Sequence, residues 1–303
     1  MEHFQKIELR KTRDFGEKFN ATFEFIRQNY KGFMPAVLFI SVPLIVVGMV
    51  IANYYSNFVL YENVNTYGSE NFFGNIVGNL FGYILIAYVF IVAGYLINTS
   101  LVYNYMKLYS KRENPTSITV KELWDESKKY IGPIFVASIL VGIIVVIGMV
   151  FLLIPGFYLA ITLSLIVSII IFEDKSIGDA FNRCFFLIKD KWWSTFGLIF
   201  VAGMIQGMMG FIFQIPEMVL TFALAIHRDG DLFIDPPMWQ KGAMILSSGI
   251  SAIGAGLLSC ISFIAIAFQY FNLVERREAT GLMNQIETFG KTDSPSSSPE
   301  ETY

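Results

Sequence analysis

Residues 130–172 read YIGPIFVASILVGIIVVIGMVFLLIPGFYLAITLSLIVSIIIF, without one acidic or basic side chain. A membrane-crossing helix needs about 20 mainly apolar residues, so this run has room for two. Pro155-Gly156 marks the turn between them, with proline suited to opening the next helix. Backbone groups in lipid must be hydrogen-bonded within their own segment, which makes both segments helical. The fold class that follows is an all-α membrane protein.

Working outward, charge is also absent between Lys31 and Glu62, Glu70 and Lys107, Lys191 and Glu217, and Lys241 and Glu275. Twenty of the 22 Lys and Arg fall in the stretches between these runs, at 1–32, 103–130, 173–194 and after 272. Lys and Arg stay on the cytoplasmic side of a membrane, so an even number of crossings separates each neighbouring pair of basic stretches. The expectation is six transmembrane helices in three hairpins, at about 33–53, 76–102, 132–154, 156–172, 195–224 and 243–272. The chain then divides into a cytoplasmic leader (1–32), a membrane domain (33–272) and a cytoplasmic tail (273–303), Ser/Pro/Glu-rich and disordered after about 290. Both termini are expected in the cytoplasm of a bacterium, at its inner membrane. A charged leader ahead of the first apolar run argues against a cleaved signal peptide.

The basic stretches carry pattern as well as charge. Phe15, Phe19, Phe23, Ile26 and Tyr30 recur at helical spacing, and so do Ile177, Phe181, Cys184, Phe185, Ile188 and Trp192. Asp14 with Glu17, and Ser176 with Asp179, look like helix caps. At an offset of 162 the two segments share Gly16/Gly178, Phe19/Phe181, Asn20/Asn182 and Phe23/Phe185, and residues 119–130 around Trp124 are a weaker third copy. Each copy precedes a hairpin, which predicts an internal repeat of amphipathic helix, span, span. Such helices either lie in the headgroup layer of an anionic leaflet or pack beneath the bundle as a collar.

Small residues four apart set helix seams or a homo-oligomer face: Gly74, Gly78 and Gly82; Gly203 and Gly207; Ser247, Ser251, Ala255 and Ser259. The fourth span, about 17 residues or ~25 Å of rise, falls short of the ~30 Å hydrocarbon layer. With Pro216 beside Glu217 in the fifth, this leaves a candidate crevice of Asn75, Asn79, Tyr83, Pro155 and Glu217.

Reactive constellations are not apparent. His3 and His227 fall on opposite sides of the expected topology, and Cys184 and Cys260 lie apart with no histidine near either. Asp229, Asp231 and Asp235 do not match an EF-hand loop and read as a solvated outer loop. Ionisable residues are missing from mid-membrane, against ion-coupled transport. No enzyme activity, cofactor, metal or nucleic-acid partner is expected; membrane lipids are.

Residues 154–197 show a further pattern. Ile154-Pro155-Gly156, Leu163-Ser164, Glu173-Asp174, Ala180, Leu187-Ile188-Lys189, Trp192-Trp193 and Phe196 form a hairpin turn, a span, an acidic exit, an amphipathic helix and the next span. This resembles a segment shared by several uncharacterised bacterial polytopic membrane families, among them the membrane domain found ahead of glycerophosphodiester phosphodiesterases. The resemblance implies a bacterial inner-membrane protein without the phosphodiesterase barrel or its metal-binding carboxylates. The function expected is that of a non-enzymatic module in envelope maintenance, working through lipids or partners. The alternative is a transporter or scramblase-like protein for lipids or small amphiphiles.

Overall fold

The computed structural model describes residues 6–54, 72–112, 118–227, 238–279 and 283; the side chains at 72–81 and 224–227 fall outside the described set. All regular structure among them is helical. Helix α1 (Phe15–Ala36) passes through a π-helical turn (Val37–Ser41) into α2 (Val42–Tyr54). Then come α3 (Phe72–Lys111), α4 (Val120–Phe151), α5 (Leu153–Leu163), α6 (Ile166–Glu173), α7 (Ile177–Ile188), α8 (Trp192–His227) and α9 (Met238–Glu278). Among the described residues, six helical segments are long and apolar enough to cross a membrane: Phe15–Tyr54, Gly82–Lys111, Val120–Phe151, Leu153–Glu173, Trp192–Ala223 and Met238–Glu278. They mark a multi-pass membrane protein.

Three boundaries differ from expectation. Residues 120–130, expected as a separate interfacial helix, run on into the following span as one helix, α4. The first amphipathic segment is not a separate helix. Pro35 lacks an N–H and crowds the preceding turn, and the wider π-helical turn after it lets α1 run on into α2. The fourth apolar segment is broken at Ser164-Leu165 into α5 and α6. Ser164 donates its hydroxyl to the Ile161 carbonyl at 2.7 Å, closing the end of α5 locally.

Helix α9 is the hub, packed on α8, α2, α3 and α1. Close approach is set by glycines other than those in the expected stripes. A Cβ on Gly48 would sit 2.7 Å from the Ala87 carbonyl oxygen, and one on Gly94 3.1 Å from the Ser41 carbonyl oxygen, so α2 and α3 meet backbone to backbone. Gly254 likewise receives Phe213, and Gly256 receives Val42. By contrast Gly82, Gly203 and Gly207 have open space where a Cβ would stand, while Gly74 and Gly78 lie among the undescribed side chains. Spacing reveals a small-residue face; it does not say whether another helix reaches it. Of the serines, Ser247 and Ser259 are buried, and Ser251 donates to the Phe213 carbonyl. Asn98 crosses the core, donating to the Gly256 carbonyl at 2.8 Å and to the Ser259 hydroxyl at 2.9 Å.

Helix α1 lies across the charged end of the bundle. Phe33 packs against Tyr105, Phe25 against Tyr109 and Phe268, and Phe19 against Leu198 and Ala202. The face it buries is Lys18, Ala21, Thr22, Phe25, Asn29 and Phe33, whereas Phe15, Phe23 and Tyr30 are exposed. Lys18, although charged, belongs to this buried face. It turns inward because Ala21 and Thr22, its neighbours on that face, are small enough to let the helix dock. At the offset of 162 the buried positions 18, 22 and 25 correspond to Ala180, Cys184 and Leu187, which are buried too.

Candidate functional site

The charged end of the bundle holds a dense polar network. Lys107 occupies the last turns of α3 with its side chain only 8% exposed. Its ammonium donates to Asp174 Oδ1 at 2.7 Å, to the Ile171 carbonyl at 2.7 Å and to the Tyr130 hydroxyl at 2.7 Å. Tyr130 in turn donates to Asp174. The local cause is the end of α6: Asp174 takes a left-handed conformation (φ 52°), leaving the Ile171 carbonyl without an intrahelical partner. A cation is the favoured group at a helix C-terminus. Burial works to raise the Asp174 carboxyl, but hydrogen bonds from Lys107 and Tyr130, with the charges of Lys107 and Lys111, hold it below the usual carboxylate range.

An extended strap, residues 6–13, closes over this node. Lys6 donates to the carbonyls of Ser110 (3.0 Å) and Arg112 (2.7 Å), at the C-terminal end of α3. The Ile7 N–H donates to the Tyr109 hydroxyl and the Arg13 N–H to Asn272 Oδ1, while the Arg13 guanidinium lies 5.0 Å over the Phe268 ring. Between strap and helices is a cavity of about 580 Å³. Lys6, Arg10, Lys107 and Lys111 line it against two carboxylates, Glu8 and Asp174, and the aromatic rings of Phe172 and Phe271 contribute apolar wall. A cationic mouth joined to aromatic surface suits an anionic headgroup attached to an apolar body.

A second basic group lies alongside. Lys189, Lys191, Arg276 and Arg277 line a recess of about 250 Å³ with Asp190, which pairs with Arg277. Nearby, Arg183 bridges Glu173 and Glu278, and Tyr270 donates to Glu173, tying α7 to α6 and α9. Cys184, on the buried face of α7, has its thiol pushed up to about 12 by burial, and a thiol so held is inert. Among the described residues no three His, Cys, Asp or Glu side chains come together as a metal site.

The expected crevice is not one place. Glu217 accepts from Asn53 at 3.0 Å and from the Ser251 hydroxyl at 3.3 Å, joining α2, α8 and α9 at the end opposite the charged one. Pro155 instead lies exposed in the first turn of α5, beside Phe157, whose ring packs on Trp192. From Trp192 to Glu217 helix α8 rises roughly 37 Å, at about 1.5 Å per residue, so Pro155 and Glu217 cannot share a pocket. Tyr83 is exposed on α3, and the side chains of Asn75 and Asn79 lie outside the described residues. Asp229, Asp231 and Asp235, expected in a solvated outer loop, and the residues beyond 283 do so as well.

Of the aromatic positions expected at the interface, Phe15 and Phe23 are exposed, Phe19, Trp124, Phe181 and Phe185 are partly buried against the core, and Trp192 is partly buried against Tyr158 and Phe196. The Lys107, Tyr130 and Asp174 node was not anticipated. Its members come from α3, α4 and the residue after α6 at unrelated spacing, and the traces in sequence are that Lys107 closes one charge-free run and that Asp174 belongs to the acidic exit from another.

Residues 80–273 match a family described as Domain of unknown function (DUF7847). No curated protein matches, and no solved structure does.

Proposed function

The chain belongs to the DUF7847 family, a domain of unknown function, and from that premise we propose that it is a non-enzymatic protein of the bacterial cytoplasmic membrane that holds anionic lipid at its basic end. The observation that carries this reading is the 580 Å³ cavity in which four cations face two carboxylates and two aromatic rings. Its membership of an interfacial layer is supported by α1, which lies across the bundle end with Phe15, Phe23 and Tyr30 bare.

In this reading both termini and the basic end are cytoplasmic, the leader, membrane domain and tail keep the boundaries 1–32, 33–272 and 273–303, and three repeats of amphipathic helix and hairpin build the frame. The resemblance of residues 154–197 to the membrane domain ahead of glycerophosphodiester phosphodiesterases then reflects a shared structural unit and carries no catalysis. Envelope maintenance through lipid contact is the role that fits.

The test is lipid retention by the purified protein. Native mass spectrometry from mixed phosphatidylglycerol and phosphatidylcholine micelles should show preferential retention of the anionic lipid. Replacing Arg10 and Lys111 together by Ala should reduce that preference several-fold. Equal retention of both lipids by the wild type would overturn the reading, as would reproducible turnover of a phosphodiester abolished by a point substitution.

A further inference from the structure

We infer that the α4–α5 hairpin does not cross the membrane: it lies as a one-leaflet insertion at the basic end, its bare face covered by the acyl chains of that leaflet.

Two residues on α8 mark the ends of the bundle. Near Trp192, the Thr195 hydroxyl accepts from Gln269 at 2.9 Å, and Asn272, one turn further along α9, accepts from the Arg13 backbone; this is the basic end. Glu217, bonded to Asn53 and Ser251, marks the other. A hairpin that crossed would put its turn at Leu152 level with Glu217, roughly 37 Å from Trp192 by helical rise. Tyr158 lies only about 9 Å of rise beyond that turn. Yet its ring stacks on Trp192 at 5.7 Å and 14°, and Trp192 Nε1 donates to the Tyr158 carbonyl at 3.2 Å. Phe157 packs on Trp192 and on Phe196 as well. The two placements cannot both hold, and the contacts place the turn at the basic end.

The packing agrees. The buried residues of α4 are Leu123, Ser127, Ile134 and Ala137, none beyond. Ser127 and Tyr130 meet Ser100 and Lys107, on the part of α3 that approaches its charged end. Helix α5 packs on α4, α7 and the start of α8.

The chemistry of the tip identifies what covers it. Phe151, Leu153 and Ile154 are 80%, 76% and 81% exposed and wholly apolar, where a turn in water would carry polar residues. The tip nonetheless leaves little backbone unpaired, because Leu152 N–H donates to the Gly148 carbonyl at 3.0 Å and Gly156 N–H to the Leu152 carbonyl at 3.3 Å. That is what hydrocarbon demands of an irregular segment. No charged residue occurs between Lys129 and Glu173, so the exposed face offers no charge to water or to a polar partner. A hairpin that returns also leaves the distribution of Lys and Arg unaltered, since none or two crossings have the same parity.

The experiment uses the full-length protein in its native membrane with Cys184 and Cys260 replaced by Ser. One variant carries Tyr158→Cys and Trp192→Cys; another carries Ile154→Cys; Asn65→Cys reports the opposite side. The expected result is oxidative cross-linking of the 158/192 pair in membranes, with Ile154→Cys unlabelled by an impermeant maleimide added to intact cells while Asn65→Cys is labelled. External labelling of Ile154→Cys overturns the inference. So does absence of the cross-link in protein present at parental abundance. Failure of Asn65→Cys to label, with the cross-link formed, counts against the orientation under Proposed function and leaves the hairpin standing.

Discussion

Lys107 and Asp174 pair at 2.7 Å although one ends α3 and the other follows α6. The lysine side chain is almost fully enclosed while the carboxylate is 60% exposed, so the pair is a buried cation held by a partner at the surface. That asymmetry decides what each substitution does, because the enclosed member has bonds that water cannot replace.

Lys107→Met should destabilise the protein more than Asp174→Asn. The lysine change leaves the Ile171 carbonyl and the Tyr130 hydroxyl without their shared donor, at a cost on the order of 1–3 kcal/mol. The aspartate change alters only the solvent-exposed partner, keeps an oxygen acceptor there and leaves the lysine bonded to the Ile171 carbonyl and the Tyr130 hydroxyl, so the loss is up to ~1 kcal/mol. Thermal unfolding in detergent should rank the two, and a larger loss for Asp174→Asn would contradict this account of the node.

The same pair sets a pH dependence. Asp174 titrates below its ordinary value of 3.8 in the folded protein, so its contribution is complete above that value and is lost as pH falls through the lower, folded one. The gap in melting temperature between wild type and Asp174→Asn should therefore be constant near neutrality and shrink as pH drops below about 4. A gap unchanged down to pH 3 would show that the carboxylate is not held by these donors.

Gly156 should not tolerate a side chain. A Cβ there would stand 2.7 Å from the Gly148 carbonyl carbon, and neither backbone can yield without opening the α4–α5 hairpin. Gly156→Val should cost about 1–3 kcal/mol and lower abundance in membranes, with Gly178→Val, which meets open space, as the neutral control.

Cys184 reports whether α7 is docked. Its buried thiol, with a pKa near 12, should react with maleimide at neutral pH only after denaturation. Phe181→Asp with Phe185→Asp, in a Cys260→Ser background, should release the helix and make Cys184 label in the native membrane. Continued protection of Cys184 would show that these two rings do not hold α7 in place.

Much of the membrane architecture is legible without coordinates. The six helical segments follow the apolar runs, and the breaks at 112–119 and 174–191 fall in basic stretches, whereas the one at Leu152 falls inside an apolar run and is marked only by Pro155-Gly156. The lipid solvent imposes this, since it admits only long apolar helices. The candidate site was not legible. The crevice built on Pro155 and Glu217 joined residues at opposite ends of α8, because a turn signal says where a chain reverses and not how deep. The glycine stripes are a similar case: Gly203 and Gly207 have the spacing of a seam and no described residue against them, while Gly48 and Gly94, which lack that spacing, carry the close backbone approach of α2 and α3.

By itself, then, the order of residues determined which segments prefer hydrocarbon and on which side the cations gather, because both depend on transfer energies summed over short windows. Tertiary structure alone decided that Lys107 closes the end of α6, that Lys18 turns inward, and that Tyr158 meets Trp192. Those contacts join positions 34 to 176 apart in sequence. They depend on the tilt and depth of whole helices, which dispersion contacts between particular side chains set and no local periodicity encodes.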